Sequence, residues 1–108
     1  MKKVSILKYL GNVLELGCVN GTYSKVLDRK AKTLLATDFS DEMVSASKAR
    51  LKEFGNIKIE KANCFDLPYP DEKFDTVFMA NLLHIIPEPE KAIAEVKRVL
   101  VPKGGLLL

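Results

Sequence analysis

The chain has 108 residues, 47% apolar and 29% charged, which is the balance of a globular domain able to bury its own core. Its net charge of +3 is spread along the chain and not gathered into a basic stripe, so nucleic acid is not an expected partner. No apolar run reaches the roughly twenty residues that cross a membrane, and no signal-peptide pattern opens the chain.

A single domain over residues 1–108 is therefore expected, away from the membrane and in the cytoplasm. The 2 cysteines, Cys18 and Cys64, form no CxxC pair, and with one histidine, His84, they are too few for a zinc site. No metal is expected.

Strand and helix patterns alternate from Asn12 onward. Asn12–Leu16 reads as a first strand, and Thr22 to Arg29 as a helix with Tyr23, Val26 and Leu27 on one face. Thr33–Thr37 is a second apolar strand. Ser40 is placed as an N-cap ahead of Asp41 and Glu42, whose charges suit a helix N-terminus. That helix aligns Val44, Ser47, Leu51 and Phe54 and stops at Gly55-Asn56. Ile57–Ala62 and Phe74–Ala80 are the third and fourth strands.

Pro89 opens a helix in which Ala92, Ile93, Val96, Val99 and Leu100 recur at the spacing of one buried face. Pro102 and Gly104-Gly105 end it, and Leu106–Leu108 begin a fifth strand. Alternating strands and helices imply parallel βαβ crossovers, and near-continuous apolar strands imply burial on both faces. The class is α/β. In such sheets a ligand sits beyond the carboxyl ends of the strands, where their order reverses. The unusual residues of this chain fall in those loops.

The segment VLELGCVNG, Val13 to Gly21, runs from a strand into a glycine turn. Glycines there permit φ > 0 and close approach of backbone to a ligand. The spacing does not match GxxxxGK[ST], and GxGxxG fails because Val19 and Thr22 stand where glycines belong. Glu15 would also repel a pyrophosphate. The turn suits a nucleoside that carries positive charge, which argues against NAD.

Asp38, at the end of the second strand, can accept from both hydroxyls of a ribose, or can support the Ser40 cap. Phe39 can lie against an adenine or join the core. Asn63 can accept from the adenine amine, with the Cys64 N–H donating to the ring, or Asn63 can simply start a turn. Asp75 helps fix the entry to the fourth strand. Asn81 and His84 end that strand. His84 has a pKa suited to a general base, but its apolar surroundings favour packing. No Ser/His/Asp or Cys/His set can be assembled, so no catalytic residue is assigned.

These segments resemble the class I, Rossmann-like S-adenosylmethionine (SAM) dependent methyltransferases, in the small-molecule branch that includes quinone-biosynthesis enzymes. VLELGCVNG is similar to the family's first motif, an acidic residue followed by GxGxG. ATDFSDEMV resembles the second, and the run from Asn63 to Leu108 resembles the later ones. The resemblance implies a doubly wound sheet of five strands in the order 3-2-1-4-5, with SAM as cofactor and S-adenosylhomocysteine as product. It further implies SN2 transfer of a methyl group to a small-molecule acceptor, for which many members need no dedicated base.

By that resemblance Glu15, Gly17 and Gly21 surround the methionine part of SAM, with Cys18 in the same turn. Asp38 holds the ribose, Phe39 and Met43 lie near adenine, and Asn63 and Cys64 read its edge. Asn81 contributes backbone near the transferred methyl.

Three departures stand out. Val19 replaces the middle glycine, Asn63 replaces a frequent aspartate, and the sequence stops at Leu108 as the fifth strand begins, where the family continues through further strands. The Leu106–Leu108 edge is expected to pair with a second copy or to continue in a longer protein. The alternative to an active enzyme is a SAM-binding module that is non-catalytic or needs a partner.

Overall fold

The computed structural model describes residues 9–18, 21, 23–79, 82–83 and 85–107. Within them the elements run β1 (Gly11–Leu16), α1 (Ser24–Asp28), β2 (Ala31–Asp38), α2 (Asp41–Arg50), β3 (Ile57–Lys61), β4 (Phe74–Phe78), α3 (Pro89–Val99) and β5 (Leu100–Leu107). All neighbouring strands pair in parallel, in the order β3-β2-β1-β4-β5. This is the α/β arrangement expected. After β3 the chain returns across β1 to lay down β4, so the order reverses between β1 and β4.

The central strand explains the layering. Side chains alternate across a strand, and β1 buries apolar side chains on both faces. Val13 points toward α1, joining Leu10, Leu27, Leu34 and Phe78. Leu14 and Leu16 point the other way and pack with Phe74, Val77, Met79 and the Ala92, Val96 and Val99 stripe of α3. Each fully buried Leu or Val contributes roughly 1.5–3 kcal/mol. Glu15 shares the face of Val13, which directs its carboxylate toward α1 and away from solvent.

Helix boundaries follow from local chemistry. The Ser40 hydroxyl accepts from the Met43 N–H at 3.3 Å, with Asp41 and Glu42 in the first turn and Lys48 and Arg50 in the last. Pro89 occupies the start of α3, where its missing N–H costs nothing. Helix α2 ends at Arg50, earlier than Gly55 suggests. Leu51 caps it and stays buried, while Phe54 is half-buried beyond the helix end.

Strand β5 corrects the expected start at Leu106. It begins at Leu100, which pairs with Phe74, and the ladder resumes where Gly105 pairs with Thr76. Val101 to Gly104 form an irregularity in the register between them. Proline lacks a ladder donor and is tolerated at such bulges, so Pro102 does not end the strand. At Gly104 a Cβ would meet Leu100 Cδ2 at 2.9 Å and the Asp75 carbonyl oxygen at 3.0 Å, which is why only glycine passes. Among the described residues no helix is long and apolar enough to cross a membrane.

Candidate functional site

Beyond the carboxyl ends of the strands, at the reversal, lies a cleft of about 370 Å³. Gly17 and Leu16 from the end of β1, Thr37, Asp38 and Phe39 from β2, Met43 from α2, and Ala62 and Cys64 after β3 contribute to its walls. Tyr23, Leu82 and Ile85 complete it. The lining is mostly apolar with a few polar groups, as small-molecule sites are.

Glu15 lies at the end of β1 and is 1% exposed. Ser24, the first residue of α1, donates its hydroxyl to Oε1. Among the described residues Oε2 has no hydrogen-bond partner. Burial pushes the carboxyl from its ordinary 4.5 up to about 7, against the opposing pull of the Ser24 hydrogen bond, and the charge of Asp38 raises it further. A buried, unsatisfied acceptor costs free energy unless a donor reaches it. The backbone carbonyl of Glu15 is satisfied by the Thr37 hydroxyl at 2.9 Å.

The turn after β1 divides its labour. Gly17 adopts φ +74°, and the nearest atom to a Cβ placed there is Leu82 Cδ1 at 3.6 Å, so the position is open toward the cleft. Gly21 is buried, and a Cβ would meet Leu51 Cδ1 at 2.9 Å. It is a packing glycine against the end of α2. Cys18 also faces inward. Its N–H donates to the Thr37 carbonyl at 2.8 Å and its Sγ lies 3.3 Å from Ser47 Oγ, while burial pushes the thiol up to about 11. Cys18 and Gly21 thus brace the turn from behind and do not line the cleft.

Asp38 is half-buried at the rim, and its Oδ1 accepts from the Ser40 N–H at 3.0 Å. Phe39 stands beside it, 68% exposed, with the Lys61 ammonium 5.7 Å from its ring centre. Across the mouth Ile85 is 79% exposed. Cys64 is half-buried in the wall, and its thiol is raised by burial. Asn63 is exposed and outside the cleft lining. Its Oδ1 accepts from the Phe65 N–H at 2.9 Å, so the side chain builds the turn after β3.

Val19, Asn81 and His84 lie outside the described residues. Tyr23, Thr37, Ala62, Leu82 and Ile85 were not singled out from sequence. Tyr23, just after Gly21, gave a signal by position, while the others are apolar or small residues whose role depends on the strands meeting. Among the described residues no three His, Cys, Asp or Glu side chains gather as metal ligands.

An open parallel sheet with a glycine turn and a carboxylate at the reversal defines a Rossmann-like α/β fold. A family model described as "Methyltransferase domain" matches residues 14–108, and the chain belongs to that family. A demethylmenaquinone methyltransferase of Clavibacter sepedonicus is 32% identical over 96 residues, covering 89% of this chain and 39% of the relative. A phosphatidylethanolamine N-methyltransferase of Cereibacter sphaeroides is 34% identical over 98 residues, covering 88% and 47%. The crystal structure of a SAM-dependent methyltransferase from Aquifex aeolicus superposes with a TM-score of 0.80 at 30% identity, covering 94% of this chain and 56% of that one. The chain spans less than half the length of both curated relatives.

Proposed function

We propose that residues 1–108 act as one SAM-binding domain of a methyltransferase that methylates a small molecule. The observation that carries this reading is the Oε2 of Glu15, unpartnered among the described residues and buried beside a glycine turn that is open at Gly17. A buried carboxylate oxygen in need of a donor suits a cationic amino-acid moiety and repels a pyrophosphate.

The residues present fit the cofactor. Glu15 and Gly17 would hold the methionine part, Asp38 the ribose, and Phe39, Met43 and Cys64 the adenine. Cys18 and Gly21 would act indirectly by bracing the turn. Asn63 would read the adenine edge, since its Oδ1 accepts one bond from the Phe65 N–H and keeps a second lone pair. Asn81 is proposed on the resemblance alone. SAM, when bound, supplies an electrophilic methyl group for SN2 attack by an acceptor. The protein's contribution would be positioning and exclusion of water, by the apolar walls at Leu16, Leu82 and Ile85.

The two curated relatives carry names that point to different acceptors, a quinone precursor and a phospholipid headgroup. The acceptor class proposed is therefore no finer than a small molecule. We place the protein in the cytoplasm, without a nucleic-acid partner, and propose that the outer edge of β5 pairs with a second copy. Light scattering that stays monomeric at high concentration would contradict that pairing.

Incubation with methyl-labelled SAM and metabolite extracts tests the enzymatic reading. Label should appear in a small-molecule fraction and fall with Asp38→Ala at subsaturating SAM. Binding of SAM without label transfer to any acceptor would instead leave the non-catalytic module.

A further inference from the structure

The β3–β4 connection, residues 62–73, contains no helix or strand. Connections of this length without regular structure are uncommon and are usually functional or poorly ordered. Here the backbone is held from α3. The Leu67 N–H donates to Glu95 Oε1 at 2.7 Å. Arg98 donates through Nη2 to the Leu67 carbonyl at 2.9 Å and through Nη1 to the Tyr69 carbonyl at 2.7 Å. Nη1 also reaches Asp71 Oδ1 at 2.9 Å, and the Glu72 N–H donates to the Arg98 carbonyl at 2.9 Å.

Nε and Nη2 of Arg98 grip the two Glu95 oxygens at 2.8 and 3.1 Å, which holds the Glu95 carboxyl below its usual range and keeps it an acceptor. One planar fork thus serves two carbonyls and two carboxylates, an arrangement a lysine cannot reproduce.

The clasp lies close in sequence to the cleft. Leu67 is 3% exposed and packs in the same apolar cluster as Ala62. Between them the chain is closed by the Asn63 turn, with Phe65 N–H on Asn63 Oδ1 and Asp66 N–H on the Asn63 carbonyl at 3.0 Å. Upstream, the Ala62 N–H donates to the Asp38 carbonyl at 3.1 Å. A shift at Leu67 is therefore passed through a short, hydrogen-bonded turn to Cys64 and Ala62 and on to the end of β2. Helix α3 is a firm reference for this because Ala92, Val96 and Val99 are buried in the core.

We infer that Glu95 and Arg98 are positioning residues, a clasp on α3 that fixes the β3-side wall of the cleft through the 67–72 segment. The inference deepens the cofactor reading of the cleft and rests on it. Sites held by a supporting shell lose affinity when that shell is loosened, even where no contact to ligand is removed.

The test uses Arg98→Lys and, in case that variant folds poorly, Glu95→Gln. Both are measured well below their melting temperatures. Amide hydrogen exchange at Phe65 and Asp66 should quicken, and affinities for SAM and for adenosine should fall together, each by roughly tenfold, the scale of one lost hydrogen bond. Lower melting temperatures with unchanged exchange at Phe65 and Asp66 and unchanged affinities would overturn the inference, making the clasp a stabilising strap only. If the wild-type protein binds neither SAM nor adenosine, the cofactor reading fails, and unchanged exchange in the variants would separately sink the clasp.

Discussion

Two carboxylates meet two positive-φ glycines at opposite ends of the sheet, and they are treated in opposite ways. At the amino end, Asp75 Oδ2 accepts the Asn12 N–H at 2.8 Å, and a Cβ on Gly11 would lie 2.4 Å from that same oxygen. The acid fills the space that the glycine leaves. At the carboxyl end, Glu15 keeps one oxygen without a partner among the described residues, while a Cβ on Gly17 would meet nothing nearer than Leu82 at 3.6 Å. The first pair completes the fold. The second leaves hydrogen-bonding capacity and volume unspent, which is how a binding site differs from a joint.

Substituting the glycines should separate the two ends most clearly. Gly11→Ala forces a left-handed alanine, about 1–2 kcal/mol, onto an overpacked carboxylate, a further 1–3 kcal/mol or so. It should lower stability by about 3 kcal/mol in denaturant titration. Gly17→Ala meets no close atom and should cost only the backbone strain of about 1–2 kcal/mol, yet it should weaken SAM binding more than Gly11→Ala does. Equal stability losses for the two would remove the distinction.

Glu15 gives a pH signature that the amino end lacks. Its folded pKa of about 7 lies above the ordinary 4.5, so between those values the folded protein holds a proton that the unfolded chain has released. That stability is fully present below pH 4.5 and is lost as pH rises through about 7. The loss is at most about 3 kcal/mol, at about 1.4 kcal/mol per pKa unit. The fall in melting temperature of the ligand-free protein between pH 5 and 8 should be smaller for Glu15→Gln. SAM affinity should move the other way, rising with pH in the wild type and staying flat in the variant. Parallel pH profiles for the two proteins would count against an ionising Glu15.

A smaller effect is expected at the rim. Asp38→Ala should cost at least about 1 kcal/mol of SAM affinity through lost hydrogen bonding. It should shift the melting temperature little, because the Ser40 hydroxyl still caps α2. Calorimetry on both proteins at one pH checks this.

Much of this was legible in the sequence because it is written locally. The apolar runs of β1 and β4, the Ser40 cap and the acids closing β1 and β2 each follow from spacing alone. The parts that were not legible depend on what strands bring together. Gly21 looks like a ligand glycine until Leu51 is seen against it. Asn63 offers the same amide to an adenine or to its own turn, and the sequence does not show that its Oδ1 accepts the Phe65 N–H. Glu95 and Arg98 were not singled out from sequence, because only the fold sets a loop beneath their i,i+3 pair. Pro102 and the two glycines after it read as a helix end, whereas the β4 ladder recruits Leu100 into the sheet.

The central claim is that the open carboxyl end receives a cationic adenosyl ligand. Calorimetric titration with SAM, S-adenosylhomocysteine, NAD and ATP tests it most directly. SAM and S-adenosylhomocysteine should bind, with NAD and ATP giving no saturable heat. Saturable binding of NAD or ATP with none of SAM would contradict it.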